Sequence, residues 1–94
     1  MQNTAEVVII GGGVHGCSIA YHLAQKGFSD IAVVEKGFLA SGGTGRSAAG
    51  IRHQFGTEIN IRLASESIKM MEQLKEELEY PCDFGFRQVG YMML

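Results

Sequence analysis

Apolar residues change their spacing several times along the chain, and each change marks an element. Residues 6–11, EVVIIG, form a β-branched run without polar alternation. Such a run predicts a strand covered on both faces, and therefore part of a parallel sheet. From 14 to 26 the spacing becomes three and four: Val14, Cys17, Ala20 and Ala24 share a face, with Leu23 beside them. That is a helical period, and Gly27 stands where a helix ends on a left-handed residue. Residues 31–35, IAVVE, repeat the strand pattern. Strand, helix and strand within about thirty residues make a βαβ unit, whose strands run parallel across a right-handed crossover.

A second helical period follows a polar stretch. Thr57 is able to cap its start, Glu58 suits the positive end of its dipole, and Ile61, Ala64, Ile68, Met71, Leu74 and Leu78 form one stripe that Pro81 ends. Met70 and Met71 read as part of an ordinary core stripe. Residues 84–94, FGFRQVGYMML, carry no polar side chain after Gln88 and predict one or two strands bent at Gly90. The pattern therefore predicts an α/β fold, with a βαβ start and a second helix over 1–80 and the first strand or strands of a β-rich part over 81–94. Two parallel strands leave an open edge, and the chain stops within an apolar run. Both features predict a truncated piece of a longer protein.

Composition narrows the classes. In 94 residues, 46% hydrophobic, 13 glycines stand against one proline, which fits neither a collagen-like repeat nor a charged disordered segment. Eight basic residues against ten acidic ones give a net charge of −2 and no electrostatic footprint for nucleic acid. Residues 1–6 contain no Lys or Arg, and the apolar run at 7–10 is too short for a signal peptide or a membrane span. Cys17 and Cys82 are too few for a disulfide scaffold and lack metal-ligand spacing. A reducing, cytoplasmic setting is the expectation.

The chemistry lies in the glycines. Gly11, Gly13 and Gly16 follow the first strand directly and open the first helix, the context that gives Gly-x-Gly-x-x-Gly its meaning. Gly11 permits a tight turn, Gly13 lets a pyrophosphate approach the backbone, and Gly16 allows helix and strand to pack closely. Helix N–H groups then face the diphosphate. Glu35 ends the second strand about 20 residues on, where a carboxylate accepts hydrogen bonds from the ribose of an adenosine. The same charge repels a 2′-phosphate and disfavours NADP. FAD and NAD remain, and the segment 41–50, SGGTGRSAAG, separates them. Where the simplest NAD fold continues into a crossover helix, this chain has small residues, hydroxyls and a single guanidinium, Arg46, suited to a second clamp on a diphosphate.

Taken together, VVIIGGGVHG, VVEKG, SGGTGRSAAGIRHQFGTEINIRL and FRQVGYMML resemble the N-terminal part of the D-amino-acid-oxidase-type flavoproteins. Within them the likeness is strongest to the β subunits of sarcosine oxidase and of dye-linked L-proline dehydrogenase. The resemblance implies a Rossmann-like βαβ FAD-binding domain, present in part over 1–80, with 81–94 as the first strand or strands of a truncated, β-rich substrate domain. It also implies FAD-dependent oxidation of a secondary or tertiary amino acid by hydride transfer to flavin N5, with other subunits of a hetero-oligomer as possible partners. Position by position it places Gly11, Gly13, Val14, His15 and Gly16 on the pyrophosphate, and Glu35 with Lys36 around the adenine ribose. It places Gly42, Gly43, Thr44, Arg46, Ser47, Ala49, Gly50 and Ile51 along the diphosphate and flavin. Arg52 matches an arginine that pairs with the substrate carboxylate. Relatives that resemble monomeric sarcosine oxidase carry a basic residue where this chain has Ala49, which leans toward a dehydrogenase. His15 and His53 depart from the pattern without a catalytic role, and Cys17, Tyr21 and His22 read as packing residues. The alternative is a free-standing FAD-, NAD- or ADP-binding module without chemistry of its own.

Overall fold

A computed structural model of the chain describes residues 3–90 and 92. It divides into two units, Met1–Ala49 and Gly50–Leu94. In the first, β1 (Val7–Ile10) leads through α1 (Val14–Gln25) to β2 (Ile31–Val34), and a one-turn helix α2 (Gly43–Arg46) follows. The β-branched runs pair in parallel, Val7 opposite Ile31 through Ile10 opposite Val34, as the βαβ pattern predicts. Backbone bonds extend the ladder at both ends: Val7 N–H donates to the Asp30 carbonyl at 3.1 Å and Gly11 N–H to the Val34 carbonyl at 2.8 Å. The ends of β1 and β2 are therefore held side by side.

α1 packs on both strands, and its C-terminus closes as a Schellman motif. Phe28 N–H donates to the Leu23 carbonyl at 3.1 Å and Gly27 N–H to the Ala24 carbonyl at 3.0 Å. Gly27 takes φ +96 to make this possible. Burial departs from expectation. One helix covers one face of a two-stranded sheet, so the other face of the strands stays open; Ile10 is 89% exposed, and no hydrophobic residue is buried among those described. Cys17, expected on a buried face, is exposed, and its Sγ lies 3.7 Å from the Gly12 carbonyl oxygen. Tyr21 and His22 are half-buried and meet edge to face, their ring centroids 5.3 Å apart.

The second unit is built on α3 (Glu58–Glu77). Ala64, Ile68, Met71 and Leu74, the middle of the predicted stripe, are among its least exposed positions. Met70, read with them, is exposed instead, because one residue of helical rotation carries it off that face. Thr57 stands at the N-cap in extended backbone, yet its hydroxyl makes no capping bond; Glu58 pairs with Arg62 at 2.6 Å. The helix ends before Pro81. Glu79 adopts φ 50, and Tyr80 N–H reaches the Lys75 carbonyl at 2.9 Å in a second Schellman closure.

The predicted strands at the C-terminal end do not form among the described residues. Positions 84–90 and 92 are irregular, as an extended segment remains without a partner strand to satisfy its N–H and C=O groups. Tyr91, Met93 and Leu94 lie outside the described residues. Asp83 instead organises its neighbours, accepting from Gly85 N–H at 2.8 Å and pairing with Arg87. The Arg87 guanidinium, and then the Gly85 N–H, lower its pKa to about 2. Among the described residues no helix is long and apolar enough to cross a membrane.

Gly27 turns left-handed in open space, with nothing within 4 Å of where a Cβ would be. Gly27→Ala is therefore expected to cost about 1 kcal/mol through backbone strain alone. A lower denaturation midpoint with an unchanged slope checks it.

Candidate functional site

The turn from β1 into α1 is built on glycine. Gly11 adopts φ +106, and a Cβ on Gly16 would fall 1.9 Å from the Gly11 carbonyl oxygen. Only glycine lets the first turn of α1 settle on the strand end in this way. Gly12, between them, is buried and engaged on both sides: its N–H donates to Glu35 Oε2 at 2.8 Å, and its carbonyl accepts from Ala40 N–H at 2.9 Å. A Cβ there would meet Leu39 Cδ2 at 2.6 Å and Glu35 Cβ at 3.2 Å. The leucine tip can rotate away, whereas Glu35 is held by its carboxylate.

Glu35 follows β2 directly. While Oε2 accepts from Gly12, Oε1 accepts from Gly37 N–H at 2.9 Å. The bond from Gly12, then that from Gly37, hold its carboxyl below the usual glutamate value, and slight desolvation opposes them. The group is thus an anion at neutral pH. Each carboxylate oxygen has acceptor capacity beyond one bond, so the pair can also receive a vicinal diol such as that of a ribose.

The segment after Glu35 folds back over the turn. Ala40 takes φ 63, α2 forms, and Thr44 Oγ1 accepts from Val14 N–H at 3.0 Å. The missing Cβ of Gly13 is what admits that hydroxyl, since it would lie 3.0 Å from Thr44 Oγ1. Gly11, Gly13, Val14, Gly16, Glu35 and Thr44 are thereby brought together. His15, Lys36, Arg46 and Ser47 are exposed on the same unit, and Ser47 Oγ accepts from Ala49 N–H at 2.9 Å. Gly42 and Gly43 stand in open space. Gly50, Ile51 and Arg52 belong to the second unit. There the Arg52 guanidinium lies 5.8 Å from the Phe55 ring centroid, and an open depression is lined by His53, Gln54, Phe55, Gly56 and Ile61.

Two residues of this architecture had no role in the sequence pattern. Gly12 is a free position of the Gly-x-Gly-x-x-Gly spacing, and only the run of three glycines hinted at it. Gly45 lies within a glycine-rich loop where its neighbours drew the attention.

Comparison with known proteins adds to the geometry. The family described as FAD dependent oxidoreductase matches residues 6–94. The chain is 43% identical over 94 residues to the sarcosine oxidase subunit beta of Arthrobacter sp, covering 99% of this chain and 23% of that protein. Mitochondrial dimethylglycine dehydrogenase of Homo sapiens is likewise 43% identical over 94 residues, covering 99% of this chain and 10% of its own length. The mitochondrial pyruvate dehydrogenase phosphatase regulatory subunit of Mus musculus is 44% identical over 77 residues, 78% of this chain and 8% of that protein. The chain thus spans a quarter or less of the length of each of these relatives.

Because the Glu35 pKa is lowered on folding, its stabilisation of the turn is complete above the unfolded value and fades as pH falls through the folded one. In the ligand-free chain the Gly12 and Gly37 amide resonances should move together, with a midpoint below the ordinary glutamate value of about 4.3. Glu35→Gln should abolish that titration and destabilise the turn more at neutral pH than in acid. An NMR pH titration with denaturation at both pH values checks the sign.

Proposed function

The chain belongs to the family of FAD-dependent oxidoreductases, and we propose from that premise that it forms the FAD-binding part of a flavoprotein oxidising a secondary or tertiary amino acid such as sarcosine or proline. The observation that carries this reading is the anionic Glu35 held by Gly12 N–H beside the start of α1. An acceptor for ribose hydroxyls is then held at Gly12, next to the Gly13 N-cap from which the helix N–H groups offer themselves to phosphate. The residues present fit the cofactor. Gly11, Gly13, Val14, His15 and Gly16 would take the pyrophosphate, Glu35 and Lys36 the adenosine ribose. Gly42, Gly43, Thr44, Arg46, Ser47, Ala49, Gly50 and Ile51 would follow the diphosphate toward the flavin.

When bound, FAD supplies the hydride acceptor at its N5. The chain's own part is to hold and orient. Glu35 keeps its charge and rejects a 2′-phosphate, which selects FAD over NADP. Arg52 grips the substrate carboxylate through a planar, permanently charged fork, leaving its ring contact with Phe55 or extending from it. Residues 81–94 open the substrate domain. Ala49, without a basic side chain, favours transfer of electrons to a partner over reaction with oxygen. Relatives named as subunits of sarcosine oxidase support a hetero-oligomeric assembly. Cys17 and Cys82, both free thiols, accord with a reducing compartment such as the cytoplasm.

A second reading, an FAD-, NAD- or ADP-binding module without catalysis, is favoured by one relative named as a regulatory subunit. Titration with FAD should give saturable quenching of flavin fluorescence, reversed by ADP and not by NADP; absence of FAD binding to the folded chain would sink the first reading, and absence of NAD and ADP binding as well would sink the second. Where the flavoprotein turns over sarcosine or proline with an artificial acceptor, Arg52→Lys should raise KM about tenfold or more at unchanged flavin content. Flavin binding without turnover of any such amine would favour the second reading.

A further inference from the structure

Gly45 has a part in this site that no motif assigns, and the inference rests on reading the turn as an FAD-binding one. α1 starts from Gly13, which makes no side-chain capping bond, so the N–H groups of its first turn need an acceptor from elsewhere. Thr44, thirty residues along the chain, supplies one by accepting from Val14 N–H at 3.0 Å. The backbone around the next residue decides where Thr44 stands. Gly45 N–H donates to the Ala40 carbonyl at 2.9 Å, and a Cβ on Gly45 would lie only 2.3 Å from that oxygen.

This neighbour is a backbone carbonyl and has no side-chain rotation by which to yield. Ala40 is also fixed on its other side, its N–H donating to the Gly12 carbonyl at 2.9 Å from a left-handed φ of 63. Displacing Ala40 would therefore disturb Gly12, whose N–H holds Glu35. Gly12, Ala40, Gly45, Thr44 and Val14 form a closed circuit of backbone and hydroxyl contacts, all within the first unit.

We propose that Gly45 is a positioning residue of the cofactor site: its missing side chain lets the loop close on Ala40 and sets the Thr44 hydroxyl as the cap of α1, joining the two phosphate-facing segments before any cofactor arrives. A threonine hydroxyl has one hydrogen to donate besides the lone pairs with which it accepts. While its oxygen holds Val14 N–H, that hydrogen can turn to a phosphate oxygen. Thr44 thus extends the helix N-terminus toward the ligand and does not compete with it, and the preassembled loop spares FAD the cost of ordering it.

The test compares the 94-residue chain with Gly45→Ala, Thr44→Val and Thr44→Ser, by amide exchange without ligand and by titration with FAD and with ADP. Gly45→Ala and Thr44→Val should each speed exchange of the Val14 amide and weaken both ligands about tenfold, the loss of roughly one hydrogen bond. Thr44→Ser, which keeps the hydroxyl, should retain both properties, while a packing role for Thr44 would reverse the order, sparing Val, which keeps the shape, and impairing Ser. Unchanged Val14 exchange in Gly45→Ala and Thr44→Val would overturn the proposal, as would tighter ligand binding by Thr44→Val, the mark of a hydroxyl that blocks the site. If the wild-type chain binds neither ligand, the FAD reading fails, while the exchange pattern still decides whether Gly45 and Thr44 cap α1.

Discussion

The bond from Gly12 N–H to Glu35 Oε2 is the tie on which the first unit depends. It joins the turn that leaves β1 to the residue that leaves β2, and it can form only because the parallel register places those two ends side by side. Once Glu35 is fixed there, its other oxygen accepts from Gly37, which starts the following loop back across the turn. Ala40 then meets the Gly12 carbonyl, and Thr44 meets Val14. With no hydrophobic residue buried among those described, these directional bonds, and not a core, define the shape of the cradle.

Within that frame the glycines of the turn and loop answer to more than one kind of constraint. Gly11 is demanded by its own backbone angle, φ +106. Gly16 and Gly45 are demanded by a neighbour, since in both cases a Cβ would press on a carbonyl oxygen. Gly13 makes room for a hydroxyl. A glycine pattern in a sequence records that side chains are forbidden, and only the fold reveals which contact forbids them.

Local signals were therefore the most legible part of the chain. The β-branched runs, the three-and-four spacing of both helices and the glycine at position 27 name their own structure, because each depends on residues within a turn or two. Long-range contacts were legible only in outline. The place of Glu35 at the end of the second strand followed from the general logic of a βαβ unit, but its bond to Gly12 did not, since a backbone N–H leaves no trace in a sequence. The exposed position of Cys17 depends on what lies opposite its helix face, which periodicity alone does not state. The segment after 83 misled for a related reason: apolar, β-prone residues predict a strand only where another strand is available to pair, and the described residues supply none.

In the function proposed, the ribose acceptor and the substrate-gripping cation fall on different units. Recognition of an adenosine diphosphate needs fixed donors and one fixed anion, and the first unit offers the N–H groups at the start of α1 with Glu35 bonded beside them through Gly12. Recognition of an amino-acid carboxylate needs a cation, and the candidate, Arg52, lies on the second unit beside the ring of Phe55. A relative could keep the first set and change the second without disturbing its cofactor site, because no bond of the Glu35 circuit passes through Arg52. Proteins with names as different as an oxidase subunit, a dehydrogenase and a phosphatase regulatory subunit are similar to this chain, and such a separation is a physical route by which one segment suits different proteins. In the function proposed, a substitution at Arg52 then changes the grip on the substrate carboxylate and leaves the Glu35 circuit intact.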